Sequence, residues 1–178
     1  MIIAIVGPTG IGKTALSIGL AKHYNAEIIN FDAMQVYEKM DIGTAKVTKE
    51  EMDGVVHHLL SYVDVNTNYS VYDYQKDARN LIDKLLKEKK NIIMVGGTGL
   101  YLKATLYDYR FSKEEVSTDY DDLSTEELLK RISKYNYVSK DKNNRRRLVR
   151  ELKKLENNID IDTNGNKLLY DAKIIGLT

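Results

Sequence analysis

Gly7-Pro8-Thr9-Gly10-Ile11-Gly12-Lys13-Thr14, entered straight from the apolar run Ile2-Ile3-Ala4-Ile5-Val6, has the spacing glycine, four residues, Gly-Lys-Thr. Its setting is a buried strand on one side and, on the other, an amphipathic segment carrying Ala15, Leu16, Ile18, Leu20 and Ala21. A loop in that setting opens a helix whose N-terminus faces an anion. The glycines let backbone N–H groups converge on phosphate oxygens, Lys13 adds a point charge, and the Thr14 hydroxyl can ligate a magnesium ion held by the same phosphates. Gly7 to Thr14 therefore read as a P-loop for a ligand bearing a pyrophosphate, without saying whether the phosphates transfer or depart.

The 178 residues are 43% hydrophobic and 30% charged, enough apolar material for one sizeable core, so one domain with a small appendage is expected. A formal charge of +1 neither demands nor excludes a nucleic-acid partner, so the position of the basic clusters matters more than the total. The absence of cysteine removes disulfides, thiolate nucleophiles and cysteine-ligated metals together. No apolar run approaches the roughly 20 residues a membrane helix needs. The first apolar run is short and enters the phosphate loop directly, unlike a signal peptide. The expectation is a cytoplasmic protein without a membrane partner.

Beyond the first helix, Ala26-Glu27-Ile28-Ile29-Asn30-Phe31 reads as a second strand, with Asp32 where it emerges. Strand, helix, strand implies parallel pairing, and ligands of such sheets bind beyond the carboxyl ends of the strands, so Asp32 and the P-loop should open onto one crevice. Asp32 has three readings there: a partner of the magnesium site, a general base, or a solvated loop residue. The stretch 33–46 lacks a sustained period and is expected to form a short helix and then a loop along the crevice. In it Gln35 can read a nucleobase edge and Tyr37 can stack on one, or both can be packing residues. His57 and His58 have no third ligand candidate nearby and read as satisfied structural imidazoles. Ser70 followed by Asp73 marks a helix start, with Val71, Tyr74, Ala78, Leu81, Ile82, Leu85 and Leu86 at helical spacing. Asn91-Ile92-Ile93-Met94-Val95 is a central strand running into Gly96-Gly97-Thr98-Gly99, a second glycine-rich turn that opens another helix at the same sheet edge.

After Arg110 the composition changes, and residues 112–124 are expected to link or cap. Ser124-Thr125-Glu126-Glu127 is a capping box before a short helix. Asn143-Asn144-Arg145-Arg146-Arg147 then opens a helix with Leu148, Val149, Leu152 and Leu155 on one face. Together with Arg150 its arginines exceed what solvation of one face requires, which points to phosphate contact, either with RNA backbone or with a bound pyrophosphate. Residues 157–167 read as a polar loop and 168–177 as a last strand. The expected architecture is an α/β, P-loop NTPase-like three-layer fold with a mainly parallel sheet. Its divisions are a catalytic core over 1–110, a helical segment over 111–157, and a loop and final strand over 158–178.

Five stretches together carry a resemblance: Gly7-Pro8-Thr9-Gly10, Phe31-Asp32-Ala33-Met34-Gln35-Val36-Tyr37, Met40-Asp41-Ile42-Gly43-Thr44-Ala45-Lys46, His57-His58-Leu59 and Val95-Gly96-Gly97-Thr98-Gly99-Leu100-Tyr101. The chain resembles the tRNA dimethylallyltransferase (tRNA isopentenyltransferase) family, densely over residues 1–110 and more thinly beyond. The resemblance implies transfer of a dimethylallyl group from dimethylallyl diphosphate, with Mg2+, to N6 of the adenosine beside the anticodon of certain tRNAs; a monomer is expected. It gives Gly7, Pro8, Thr9, Gly10, Ile11, Gly12, Lys13 and Thr14 to the diphosphate, Thr14 to the metal, and catalytic roles to Thr9, Lys13 and Asp32, with Asp32 as the base. Asp32, Ala33, Met34, Gln35 and Thr98 would meet the flipped adenosine, while Asn144, Arg145, Arg147 and Arg150 match an Asn-x-x-Arg-Arg region where tRNA contacts are implied.

Three departures stand out. Ala33 replaces a serine usual in the family, the segment between Arg110 and Asn143 is shorter than the family's helical insertion, and the family continues past the position of Thr178 with an arginine-bearing helix and further tRNA-holding helices. A fragment, a minimal form or a changed acceptor would each account for them. Two other readings stay open on the residues: a small-molecule kinase using ATP, with Asp32 as base and the arginines as a lid, and a module that binds diphosphate or RNA without turnover.

Overall fold

The computed structural model describes residues 1–111, 120, 122–157 and 164–178. Strand β1, Ile2–Val6, is five apolar residues buried on both faces, the composition a central parallel strand requires. The P-loop follows and delivers α1, Lys13–Tyr24, whose cap Gly12 takes φ 89°, a left-handed conformation open to glycine. Then come β2, Ala26–Asn30, the one-turn α2, Lys49–Met52, and β3, His57–His58. Helix α3, Val71–Lys87, starts at a capping box in which Ser70 and Asp73 satisfy each other's backbone N–H. Strand β4, Asn91–Val95, leads through the second glycine turn into α4, Gly99–Leu106, and β5, Tyr107–Tyr109. Helix α5, Thr125–Ser133, starts at the Ser124–Glu127 capping box, and α6, Arg145–Glu156, is capped by Asn144. Strands β6, Asn164–Leu168, and β7, Ala172–Gly176, complete the order.

Strands β3, β2, β4, β1 and β7 form, in that spatial order, a five-stranded sheet in which every pairing is parallel, while β5 and β6 pair separately. Alternation along the strands gives the sheet two buried faces. Ile2, Ala4, Ile29, Ile92 and Met94 meet Tyr74, Ala78, Ile82 and Leu85 of α3 and Leu102 and Leu106 of α4. Ile3, Ile5, Ile28 and Ile93 meet Ala21 of α1, flanked by Leu16, Ile18 and Leu20. Helix, sheet and helix are thus the three layers, an α/β fold with the P-loop at the carboxyl end of β1.

The described residues divide into two compact units. The first comprises Met1–Arg110 and Gly165–Thr178, the second Phe111–Asn164. In the second, Leu128 and Ile132 of α5 pack on Leu148 and Leu152 of α6 beside Tyr120.

Several local expectations change. The segment expected to begin with a short helix at 33–46 is instead a chain of turns with a single bridge from Tyr37 to Val63. Its polar groups bond across the fold rather than along a helix: Lys46 Nζ donates to the Tyr37 carbonyl (2.7 Å) and to Ser61 Oγ (2.7 Å) and pairs with Asp41 (2.8 Å). Leu168 belongs to β6, not to the last strand, which begins at Ala172. The linker expectation at 112–119 and 121 and the polar-loop expectation at 158–163 lie outside the described residues.

Candidate active site

The P-loop sits where β1 ends and α1 begins, so the first amides of α1 point out of the sheet's carboxyl edge. Lys13 Nζ donates to the carbonyls of Gly7 (2.8 Å) and Pro8 (2.7 Å), folding its ammonium back over the loop. Ser17 ties the first turn of α1 by donating to the Thr14 carbonyl at 2.7 Å. Gly7 is hemmed in, because a Cβ there would lie 2.8 Å from the Leu177 carbonyl oxygen. Leu177 in turn donates its N–H to the Val6 carbonyl at 2.9 Å, so the chain following β7 supports the loop's first residue.

Asp32 stands beyond β2, two strand spacings or about 10 Å from β1, with β4 between them. Gly96 and Gly97 follow β4 without side chains, which leaves the interval between P-loop and carboxylate open. Gly96 also permits close approach, since a Cβ on it would lie 2.5 Å from the Phe31 carbonyl carbon. Asp32 Oδ2 lies over Gly97, and Oδ1 accepts the Met34 N–H at 3.0 Å. Asn30 steadies this corner: its Oδ1 accepts the Asp32 N–H (3.2 Å) and its Nδ2 donates to the Leu59 carbonyl (2.9 Å). Thr98 Oγ1 accepts the Ala33 N–H at 2.9 Å, so it holds the Asp32 turn from beyond the end of the neighbouring strand β4. Gln35 Nε2 donates to the Thr44 carbonyl at 2.9 Å, joining the two halves of the turn-rich segment.

These groups share one pocket of about 250 Å³, lined by Thr9, Gly10, Lys13 and Thr14 on one side and by Asp32, Gln35, Thr44 and His57 on the other. P-loop, Asp32 and Gln35, read separately from the sequence, come together here. Ala33, Met34 and Thr98 adjoin the pocket through the bonds just described. Asn30, Thr44 and His57 were not foreseen as lining residues; the polar Asn30 following the apolar pair Ile28-Ile29 at the end of β2 was the one signal for the first.

Both histidines are engaged at the sheet edge. His58 Nε2 bonds Glu27 Oε2 at 2.7 Å, and Lys90 meets the other oxygen at 3.1 Å. The His58 hydrogen bond, opposed by burial, holds the Glu27 carboxyl below the usual range. His57 Nδ1 bonds the Val55 carbonyl at 2.9 Å, but its Nε2 is buried with no hydrogen-bond partner among the described residues. Burial holds the His57 imidazole below its ordinary pKa, so it stays neutral. Only one of its two nitrogens is satisfied, which corrects the expectation that both rings are.

No group of three or more His, Cys, Asp or Glu suited to a metal occurs among the described residues. The pocket does offer Thr14 and Asp32, hard oxygen donors that suit magnesium when phosphate oxygens supply the remaining ligands. The donor set therefore fits that ion.

On α6, Asn144 accepts the Arg147 N–H as N-cap at 3.2 Å, and Arg147 pairs with Asp141 at 3.1 Å. Arg145 turns inward, donating to the carbonyls of Leu123 and, at 2.7 Å, of Tyr120. Arg146, Arg147 and Arg150 are exposed. These residues belong to the second unit and the pocket residues to the first.

The sequence model of the IPP transferase family matches residues 35–176, a span that includes Gln35, Thr98 and the α6 arginines. The chain belongs to the IPP transferase family. Among curated family members, the tRNA dimethylallyltransferase of Streptococcus agalactiae serotype Ia is 44% identical over 185 residues, covering 99% of this chain and 61% of that protein. The tRNA dimethylallyltransferase of Acholeplasma laidlawii is 53% identical over 114 residues, covering 64% of this chain and 39% of its own. Among solved structures, a eukaryotic dimethylallyltransferase described as acting on tRNA superposes with a TM-score of 0.81 at 29% identity, covering 99% of this chain and 48% of that one. The Bacillus halodurans tRNA isopentenylpyrophosphate transferase superposes with a TM-score of 0.69 at 37% identity, covering 99% and 59%. This family member thus spans 61% of the length of its S. agalactiae relative.

Proposed function

We propose that the chain transfers a dimethylallyl group from dimethylallyl diphosphate to N6 of the adenosine beside the anticodon in tRNA. The observation that carries this reading is the single pocket in which a loop suited to pyrophosphate faces a carboxylate across an interval kept clear by glycines. The names of its relatives support the choice of donor and acceptor.

In this reading the loop amides, Thr9 and Lys13 bind the diphosphate, Lys13 exchanging the Gly7 and Pro8 carbonyls for phosphate oxygens. The bond from the allylic carbon to the diphosphate oxygen breaks, a bond from that carbon to N6 forms, and the N6 proton passes to the Asp32 carboxylate. Negative charge grows on the departing diphosphate, where fixed N–H dipoles and Lys13 offset it. Magnesium held by Thr14 and the phosphates, with Asp32 nearby, would supply further positive charge at the leaving group. Ala33, Met34, Gln35 and Thr98 border the extruded base. On α6, Arg147 and Arg150 meet RNA phosphates, while Asn144 and Arg145 keep the helix start in place. A cytoplasmic monomer completes the proposal.

The test is incubation with radiolabelled dimethylallyl diphosphate, or labelled ATP, and bulk tRNA, followed by nucleoside analysis. N6-dimethylallyl-adenosine is the expected product. Label moving from ATP to a small acceptor would instead favour a kinase, and binding without product a non-catalytic module. Asp32→Asn should slow the chemical step roughly 10²- to 10⁴-fold, the usual worth of a positioned base, with diphosphate affinity little changed. Lost magnesium-dependent affinity at an unaltered saturated rate would make Asp32 a metal partner.

A further inference from the structure

Asn30 lines the pocket, is 3% exposed and takes no part in the proposed chemistry. Its backbone is fixed from two sides: it is in register with Val95 of β4, and its carbonyl accepts the Tyr74 hydroxyl at 2.8 Å. That leaves the side-chain amide to other partners, and both of its ends go to the chain that leaves the sheet. Oδ1 accepts the N–H of Asp32, two residues on, at 3.2 Å. Nδ2 donates to the Leu59 carbonyl at 2.9 Å and, more distantly, to the Asp32 carbonyl at 3.4 Å. An N–H must meet the oxygen and a carbonyl the NH2 group, so one orientation of the amide alone satisfies both partners.

The two tethered residues belong to different walls. Asp32 lies beyond β2, whereas Leu59 follows β3 directly and precedes Leu60 of the pocket lining. Leu59 takes φ 54°, a left-handed conformation uncommon for a residue with a side chain of that size. Such a conformation persists where its surroundings hold it, and the Asn30 amide grips its carbonyl. On the other wall, the bond from Asn30 to the Asp32 N–H closes an Asx turn. Within that corner Asp32 Oδ1 accepts the Met34 N–H, while Oδ2 takes no part in the turn and lies over Gly97. We propose that Asn30 is a positioning residue, which holds the Asp32 turn so that Oδ2 receives the N6 proton and which ties that turn to the chain leaving β3. The inference rests on Asp32 being the base of the function proposed above.

The test uses the full chain, an RNA stem-loop bearing the target adenosine, and single-turnover transfer at saturating dimethylallyl diphosphate. Asn30→Ala removes both tethers; Asn30→Ser keeps a hydroxyl that can accept an N–H two residues on, a weaker form of the same turn. Asn30→Ala should lower the saturated rate by roughly 10- to 100-fold, the scale of a reacting group displaced by about 1 Å, and Asn30→Ser should recover part of it. The dissociation constant for dimethylallyl diphosphate should stay at the wild-type value, because none of these side-chain bonds reaches the P-loop. The deciding readout is the same substitution in an Asp32→Asn background. A residue that acts through Asp32 adds little once the carboxylate is gone, so the double variant should transfer at the rate of Asp32→Asn alone. A wild-type rate in Asn30→Ala overturns the inference. So does an equal fold-loss in both backgrounds, which marks a residue that supports the fold and not the carboxylate. Should Asn30→Ala fail to fold, Asn30→Ser carries the same comparison between backgrounds. If the wild-type chain transfers nothing, or Asp32→Asn is as fast as wild type, the base reading fails and this inference with it, before any Asn30 variant is compared.

Discussion

Replacing Gly96 by alanine should damage the site from beneath while leaving the P-loop intact. The added methyl would lie 2.5 Å from the Phe31 carbonyl carbon and 2.7 Å from both its oxygen and its ring Cδ2. Non-bonded heavy atoms settle near 3.5 Å or beyond, so a displacement of about 1 Å is needed. The Phe31 side cannot yield freely, because its N–H is bonded to the Val95 carbonyl at 2.9 Å and its side chain is 1% exposed. Overpacking of this kind costs about 1–3 kcal/mol, and a chain of this size loses roughly 2–4 °C of Tm per kcal/mol, so a fall of about 2–12 °C is expected. The displaced peptide is the one that carries Asp32. Misplacing a reacting group by about 1 Å can lower a rate by roughly 10²-fold. Diphosphate affinity should stay near wild type, since the P-loop is not touched. Thermal unfolding by circular dichroism, calorimetric titration with dimethylallyl diphosphate and single-turnover transfer together make the check. Wild-type Tm and rate in Gly96→Ala would refute the close approach of β4 to Phe31 on which the reasoning rests.

Lys13→Ala removes a cation that faces the ligand rather than the core, so diphosphate affinity should fall tenfold or more at roughly constant Tm; calorimetry decides, and unchanged affinity removes the loop from the chemistry. Because burial lowers the His57 pKa, the unfolded chain takes up that proton first as pH falls. Stability should therefore be flat above the ordinary histidine value of about 6.5, decline below it, and level off once the folded imidazole also titrates. Urea unfolding across pH for wild type and H57N checks the sign, parallel profiles being the contrary result. Below about 4.5 the depressed Glu27 adds a second loss, since its contribution vanishes as pH falls through its folded value. Arg145→Ala should destabilise the α5–α6 unit by about 1.5–3 kcal/mol through two orphaned carbonyls. Arg150→Ala should flatten the salt dependence of RNA binding by roughly 0.7–0.9 in log–log slope; an unchanged slope would remove Arg150 from the RNA contact.

The parts of the fold legible in the sequence are those whose causes are local. An apolar run meeting Gly-x4-Gly-Lys-Thr defines β1, loop and α1, and the capping boxes at Ser70 and Ser124 place the starts of α3 and α5 because each is closed within four residues. Strand β3 was missed because two histidines have no period, and they are a strand only by pairing with β2. The 33–46 segment was misjudged for a related reason: its decisive bonds, Ala33 to Thr98 and Lys46 to Ser61, join residues 65 and 15 positions apart. Within the pocket, the P-loop and Asp32 could be matched to chemistry by residue type and strand position. His57 could not, since its place in the lining comes from the pairing of β3 with β2.

The placement of β1 between β4 and β7 has a consequence for synthesis. The partners of Ile2 are Ile92 and Ala172, so β1 is made well before either of the strands that flank it. At the usual pace of translation, roughly 5–20 residues per second, the delay between Ile2 and Ala172 is on the order of ten seconds or more. Throughout that interval Ile2–Val6 is a nascent apolar strand with an open edge, the kind of segment that chaperones cover and that aggregates when they do not. Ligand cannot rescue it early, because the residue that buttresses Gly7, Leu177, emerges later still.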